Sequence, residues 1–240
     1  MLAHDYTKRP QSEGYSQPKL DGIRCVADAN GLWTRSGKAI VSCPHIWQQV
    51  KPFIDANPGI VLDGELYNHD LKADFNKITS LVRKVKCRPE ELAEAQQLVQ
   101  YHVYDCYVPG VNFSDRIKLV KELRSDIVHV VQTDFASSQA ELDALYSDYM
   151  ERGYEGQMVR NDTPYECKRS KNLLKRKEFV TEEFTVIDVI EGQGAWTGYA
   201  KRFILAMPDG VEFGAGVRGN QEQLRQLLES PDKPNWATCR

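Results

Sequence analysis

The sequence predicts an α+β protein in two parts, a larger mixed domain over residues 1–178 and a small β domain over 179–240. Three observations predict it. An Asn-Gly pair between two extended arms marks an antiparallel hairpin early in the chain. Capped helical stretches then alternate with short apolar strands up to residue 178. After Phe179 the texture changes to short strands separated by Gly-rich or Pro-Asp-Gly turns.

The elements follow in order. In "IRCVADANGLWTRSG", Asn30–Gly31 predicts a two-residue type I′ turn, pairing Ala29 with Leu32 and Val26 with Arg35. Arg24, Val26, Arg35 and Gly37 then share one face. "GIVLDGELY" (59–67) is a strand with positions 63 and 65 on one side. "PEELAEAQQLV" (89–99) is a helix with Pro89 at its start and acids in its first turn. "YHVYDCYV" (101–108) is a strand, and "SDRIKLVKELRSDI" (114–127) is a helix capped by Ser114. "SSQAELDALYSDYMERG" (137–153) carries a Ser138/Glu141 capping box and a terminating Gly153. "YEGQMVR" (154–160) and "NLLKRKEF" (172–179) are strands, the second with Lys175 and Lys177 on one face. A hinge is expected near 177–182, followed by short strands and a helix capped by Asn220.

Composition excludes some classes of function. The chain has 240 residues, 41% hydrophobic and 27% charged, enough to bury a core. It has no apolar run of membrane-spanning length and no apolar signal core at its start, so a soluble protein inside the cell is expected. Six cysteines without a CxxC pair, and no His pair at metal-ligand spacing, argue for free thiols rather than zinc. A net charge of −3 argues against a uniformly basic nucleic-acid binder. The cations are nonetheless bunched in "VRKVKCR" (82–88) and "KRSKNLLKRK" (168–177), which suits local phosphate contact.

Four features converge on one chemistry. Lys19 stands at a strand entrance in "QPKLDGIRC", and two arginines share the adjacent hairpin face. Glu65 and Glu155 lie on separate strands beside glycines, and Lys175 and Lys177 share a late strand. Together they suit phosphoryl transfer with a lysine nucleophile: cations for phosphates, carboxylates for a divalent metal, and glycines for close backbone approach. A free lysine amine has a pKa of ~10.4, so the site must favour the neutral form. Neighbouring cations and desolvation do that, whereas acids oppose it unless they hold a metal.

"KLDGIR" (19–24) resembles the KxDGxR motif of the covalent nucleotidyltransferases, in particular the small phage- and virus-type ATP-dependent DNA ligases. "TRSGK" (34–38), "DGELY" (63–67), "VYDC" (103–106) with "FSDR" (113–116), "YEGQMVR" and "LLKRK" (173–177) resemble the later motifs, in order. The resemblance implies a nucleotidyltransferase (adenylation) domain of antiparallel sheets with helices followed by a small OB-fold-like β domain, a monomer acting on nicked duplex DNA with ATP and Mg2+ or Mn2+ in the cytoplasm of a bacterium or a phage-infected host. It implies that Lys19 becomes adenylated, that AMP passes to a 5′-phosphate, and that a 3′-hydroxyl then displaces it. Arg24 and Arg35 would hold ribose or nick phosphate, and Glu65 the ribose or a metal-bound water. Glu155 would hold the metal, Tyr104 would stack on adenine, and Arg116 would brace the pocket. Lys175 and Lys177 would grip the α-phosphate, Gln17 would read the base edge, and Leu20 would line the nucleotide pocket. Duplex contacts would fall to Arg35, Arg83, Lys84, Lys86, Lys168, Arg169 and Lys171.

One departure stands out. Ligases of this type end in a basic Arg–Phe–Pro-like motif that orients pyrophosphate, and "PDKPNWATCR" (231–240) lacks it. Lysine adenylation is therefore expected to be impaired more than later steps. An RNA ligase, an mRNA capping guanylyltransferase and a non-catalytic nick-binding module remain open as rival readings.

Overall fold

The computed structural model describes residues 1–72, 74–177 and 181–239. The chain divides into two compact units, Met1–Glu178 and Phe179–Arg240, and the junction at 178–180 lies outside the described residues.

The first unit runs β1 (Leu2–Asp5), β2 (Gly14–Lys19), β3 (Ile23–Asp28), β4 (Gly31–Thr34), α1 (Pro44–Ala56), β5 (Val61–Tyr67), α2 (Phe75–Val82) and α3 (Pro89–Leu98). It continues with β6 (Gln100–Tyr107), α4 (Phe113–Val120), β7 (Val128–Val130), β8 (Asp134–Ala136), α5 (Gln139–Glu151), β9 (Gly156–Arg160) and β10 (Arg169–Lys177). Two five-stranded sheets result, ordered β1-β10-β9-β2-β8 and β4-β3-β5-β6-β7. Pairing is antiparallel except β1 with β10 and β6 with β7, so the sheets are mixed rather than purely antiparallel.

The chain passes from one sheet to the other between Lys19 and Ile23. That crossing positions the site. Gly22 is needed there because a Cβ would run into the Leu66 carbonyl on β5. Each sheet has its own apolar backing. Ile46, Val50 and Ile54 of α1 and Ile78 and Leu81 of α2 pack in one core with Leu62 and Leu66 of β5. Leu142 of α5 packs with Val159 and Leu174 beneath the other sheet. Each such side chain stabilises the fold by about 1.5–3 kcal/mol when fully buried. Leu20, Tyr67 and Val131 form a third cluster at the crossing, with Tyr104 and Tyr154 against it.

Several expectations are corrected. The hairpin pairs Asp28 with Gly31, so Ala29–Asn30 form the loop. A type I′ turn needs φ > 0 at Asn30, and no described non-glycine residue has positive φ. The Asp28 carboxylate instead accepts from the amides of Asn30 (2.8 Å) and Gly31 (3.1 Å) and from Trp33 Nε1 (2.9 Å), fixing an Asx-type turn. The register moves by two positions, which keeps parity; Arg24 and Arg35 still line one cavity. Helix α4 is capped at Asn112 and ends at Val120, while Ser114 instead binds Asp162. Ser138 accepts from the Glu141 amide, but Glu141 answers to the amide of Ser137 rather than Ser138. Helices α1 and α2 were not anticipated. Pro52 inside α1 breaks the helical signal, and α2 has only eight residues.

The second unit has β11 (Glu182–Glu191), β12 (Ala200–Ala206), β13 (Glu212–Gly216), α6 (Gln221–Glu229) and β14 (Trp236–Cys239). Its antiparallel sheet is ordered β13-β12-β11-β14. Asn220 caps α6 in a capping box with Gln223. Val189, Ala200, Leu205 and Leu224 are its buried apolar residues. No helix among the described residues is long and apolar enough to cross a membrane.

Candidate active site

A cavity of about 260 Å³ opens where β2 ends, floored by both sheets of the first unit. Gln17, Lys19 and Leu20 line it from β2 and the residue after it, and Arg24, Glu65 and Tyr104 line it from the facing sheet. Arg35, Arg169 and Lys175 also reach it. Register explains the assembly. Lys19 is opposite Gly156 on β9, and Gly156 is opposite Lys177 on β10. Gly156 has φ +155°, and a Cβ there would strike the Arg176 carbonyl, so only glycine lets β9 and β10 close at this point.

The two acids behave differently. Glu155 contacts Lys19 Nζ through Oε2 and accepts from Lys177 Nζ at 2.9 Å through Oε1. Burial works to raise its pKa, but the hydrogen bonds and charges of Lys19 and Lys177 prevail and hold it below the usual carboxylate range. Burial instead pushes the Glu65 carboxyl up to about 8; Asp63 and Glu155 add to that, while Lys19 and Arg24 oppose it. No group of three or more His, Cys, Asp or Glu side chains among the described residues is arranged to hold a metal.

Arg24 is already engaged. Its Nε and Nη2 donate to the two Asp63 oxygens, both at 2.8 Å, and Nη1 donates to the Met1 carbonyl at 2.8 Å. Tyr165 and Tyr104 hydroxyls donate to the same carboxylate at 2.6 and 3.2 Å. Arg116 does not line the cavity. It is 1% exposed and grips Asp105 with Nε at 2.8 Å and Nη2 at 3.1 Å. Arg160, which does line the cavity, donates from Nη1 to Asp105 Oδ2 (2.9 Å), the oxygen that also accepts from Arg116 Nη2, and from Nε to Gln17 Oε1 (2.9 Å). Gln17 Nε2 in turn donates to the Tyr104 carbonyl and Thr133 Oγ1, each at 2.9 Å. The Gln17 amide therefore faces protein partners, and Arg116 braces the wall two residues removed.

Asp63, Asp105, Arg160 and Tyr165 escaped the sequence reading. The first three lie inside the stretches "DGELY", "VYDC" and "YEGQMVR", yet nothing in local spacing reveals pairing across two sheets.

The family model for the ATP dependent DNA ligase domain matches residues 1–177. The chain belongs to that ligase family. Among its relatives, a DNA ligase of Haemophilus influenzae is 26% identical over 199 residues, spanning 81% of this chain and 69% of that enzyme. A DNA ligase of African swine fever virus is 26% identical over 198 residues, but this chain spans only 44% of that enzyme's length. A solved structure of a Lig E DNA ligase, described as binding DNA with a minimal scaffold, superposes with a TM-score of 0.81 at 24% identity. That match covers 99% of this chain and 90% of the other. It shows that the chain shares that ligase's fold.

The basic stretches of this ligase-family chain reach Arg24 and Arg35 through two grooves. Arg83 and Lys84 line a groove with Arg24, Arg35 and Lys38, although Lys84 is paired with Glu91 at 2.6 Å. Lys86 is exposed. Lys168 pairs with Glu166 at 3.1 Å beside Arg24 and Arg35. Arg169 binds the Ala3 carbonyl at the cavity rim, and Lys171 is exposed.

Proposed function

We propose that this chain seals nicks in duplex DNA through a covalent lysyl-AMP. The single observation that carries the reading is Lys19 at the mouth of a cation-lined cavity, in contact with Glu155, which also holds Lys177. Lys19 must lose both a proton and its Glu155 contact before attack. Its Nζ then bonds the α-phosphorus of ATP as the bond to pyrophosphate breaks. Lys175, which lines the cavity, and Lys177 offset charge on the phosphate oxygens. Tyr104 presents an aromatic wall for the base. AMP next passes to the 5′-phosphate of the nick, near Arg24 and Arg35, and the 3′-hydroxyl displaces it.

The donor set fits a divalent ion held chiefly by nucleotide phosphates and water, with Glu155 or Glu65 as protein ligand, not an all-protein cage. Such an ion would neutralise phosphate charge. Glu155 becomes available to it once the Lys19 ammonium is consumed. Exposed Arg35, Arg83, Lys86 and Lys171 would meet duplex phosphates irrespective of base sequence.

The test is mass spectrometry after incubation with ATP and magnesium, then with nicked duplex. An acid-labile AMP adduct on the peptide holding Lys19, discharged on adding the nick, is expected. An adduct formed from GTP in preference to ATP, or none even with pre-adenylated nicked DNA yielding no sealed product, overturns the assignment.

A further inference from the structure

We propose that Arg160 reads the nucleotide base, donating from Nη2 to a ring nitrogen of adenine. The proposal rests on the reading of the cavity as an ATP site. Position is the first argument. Arg160 lies four residues along β9 from Gly156, the partner of Lys19 in the sheet. At ~3.3 Å per residue that is about 13 Å from the reacting level. Tyr104, the aromatic wall proposed for the base, lies 5.5 Å from the Arg160 guanidinium, so a nucleotide with its α-phosphate at Lys19 and its base on Tyr104 brings the base to the Arg160 end.

Hydrogen-bond accounting is the second argument. The Gln17 amide donates twice and accepts from Arg160, so its two N–H groups are committed to protein. Arg160 commits Nε to Gln17 and Nη1 to Asp105. Its Nη2 has no hydrogen-bond partner among the described residues and is not among their buried unpartnered atoms. The residue is only 3% exposed and lines the cavity, so this nitrogen is the donor it has left to offer a ligand there.

Charge is the third argument. One carboxylate, Asp105, serves both Arg116 and Arg160, so the trio keeps one positive charge. The donor facing the cavity is therefore charge-assisted, which strengthens a bond to a neutral ring nitrogen. Tyr104, 5.5 Å from the guanidinium, and Phe113, at 5.0 Å, keep the fork in place from its flanks. Asp105 and Arg116 are positioning residues in this scheme.

Calorimetric titration of the full chain with ATP and with its 1-deaza, 3-deaza and 7-deaza analogues tests the proposal without any variant. One of the three deletions is expected to weaken binding about tenfold or more. Equal affinity for all four ligands overturns the Arg160 assignment while leaving the ATP site standing; failure to bind ATP at all overturns both. Arg160→Met, which leaves Arg116 and Asp105 as a balanced pair, then identifies the donor. It should bind ATP as weakly as the wild type binds the sensitive analogue, with no further loss on that analogue. A deaza penalty that persists at full size in R160M overturns the proposal. If R160M does not fold, Arg160→Lys is read in the same way, as its shorter amine cannot keep all three bonds.

Discussion

The two ends of the cavity handle charge in opposite ways. At the reacting end, Lys19, Glu155 and Lys177 have side chains 20%, 22% and 30% exposed, so water can replace any partner that leaves. Behind the proposed base end, Arg116, Asp105 and Arg160 have side chains 1%, 0% and 4% exposed, and no partner can leave without stranding a charge. The difference teaches where exchange and where rigidity are needed. A nucleophile must change partners during the reaction; a wall that locates a base must not.

The sharpest break of this contrast is at Lys19. Lys19→Ala should abolish the AMP adduct outright while leaving the denaturation midpoint nearly unchanged, since a part-exposed ion pair contributes only about 0–1 kcal/mol. Mass spectrometry and urea unfolding read the two quantities on one sample. A K19A chain that still carries AMP would place the nucleophile elsewhere. The next largest effect belongs to the other end. Asp105→Asn keeps shape but strands two buried guanidinium groups, and should cost about 3–5 kcal/mol of unfolding free energy. A loss under 1 kcal/mol would show that the trio is not what holds the wall.

The same contrast explains what was legible in the sequence. Lys19, Glu155 and Lys177 sit beside glycines or at strand ends, where the chain must turn or approach closely, and such punctuation is local. The strands β5 and β6 were likewise readable from their apolar and aromatic residues, and β9 and β10 from short extended stretches beside Gly156 and around Leu173–Leu174. Asp105 and Arg160 gave no such sign, because their meaning comes from being 55 positions apart and 2.9 Å from one another. Arg116 could be taken for a surface ion pair on a capped helix for the same reason. The hairpin register failed on a side chain: Asp28 captures the turn amides, a competition that an Asn-Gly rule does not contain.

Glu65 lies between the two regimes and gives a pH-dependent test. Its carboxyl is raised to about 8 in the fold from 4.5. Between those values the folded chain keeps a proton that the unfolded chain has released. Stability from this group is therefore complete below pH 4.5 and falls as pH rises toward 8, by up to about 1.4 kcal/mol per pH unit. Above pH 8 the loss is complete. Glu65→Gln should remove that slope, so the wild-type-minus-variant difference in unfolding free energy should change most between pH 5 and 8. A difference that stays flat across this range would mean that Glu65 is ionised in the fold and belongs with the exchangeable group.

The smallest effects should come from the exposed cations around the cavity, and they separate by whether a partner is already present. Arg35 forms no hydrogen bond or ion pair among the described residues and lines the cavity and both neighbouring grooves. Each phosphate that a free cation neutralises adds about 0.9 to the steepness of log affinity against log salt. Arg35→Gln should therefore lower that slope for nicked duplex by about one. Lys84 already faces Glu91, so part of its charge is balanced before DNA arrives. Lys84→Gln should change the slope by less, and Glu91→Gln, which frees Lys84, should raise it. Equal slopes for R35Q and K84Q would show that pairing on the protein surface does not govern which cations meet phosphate, and that distance from the nick alone decides.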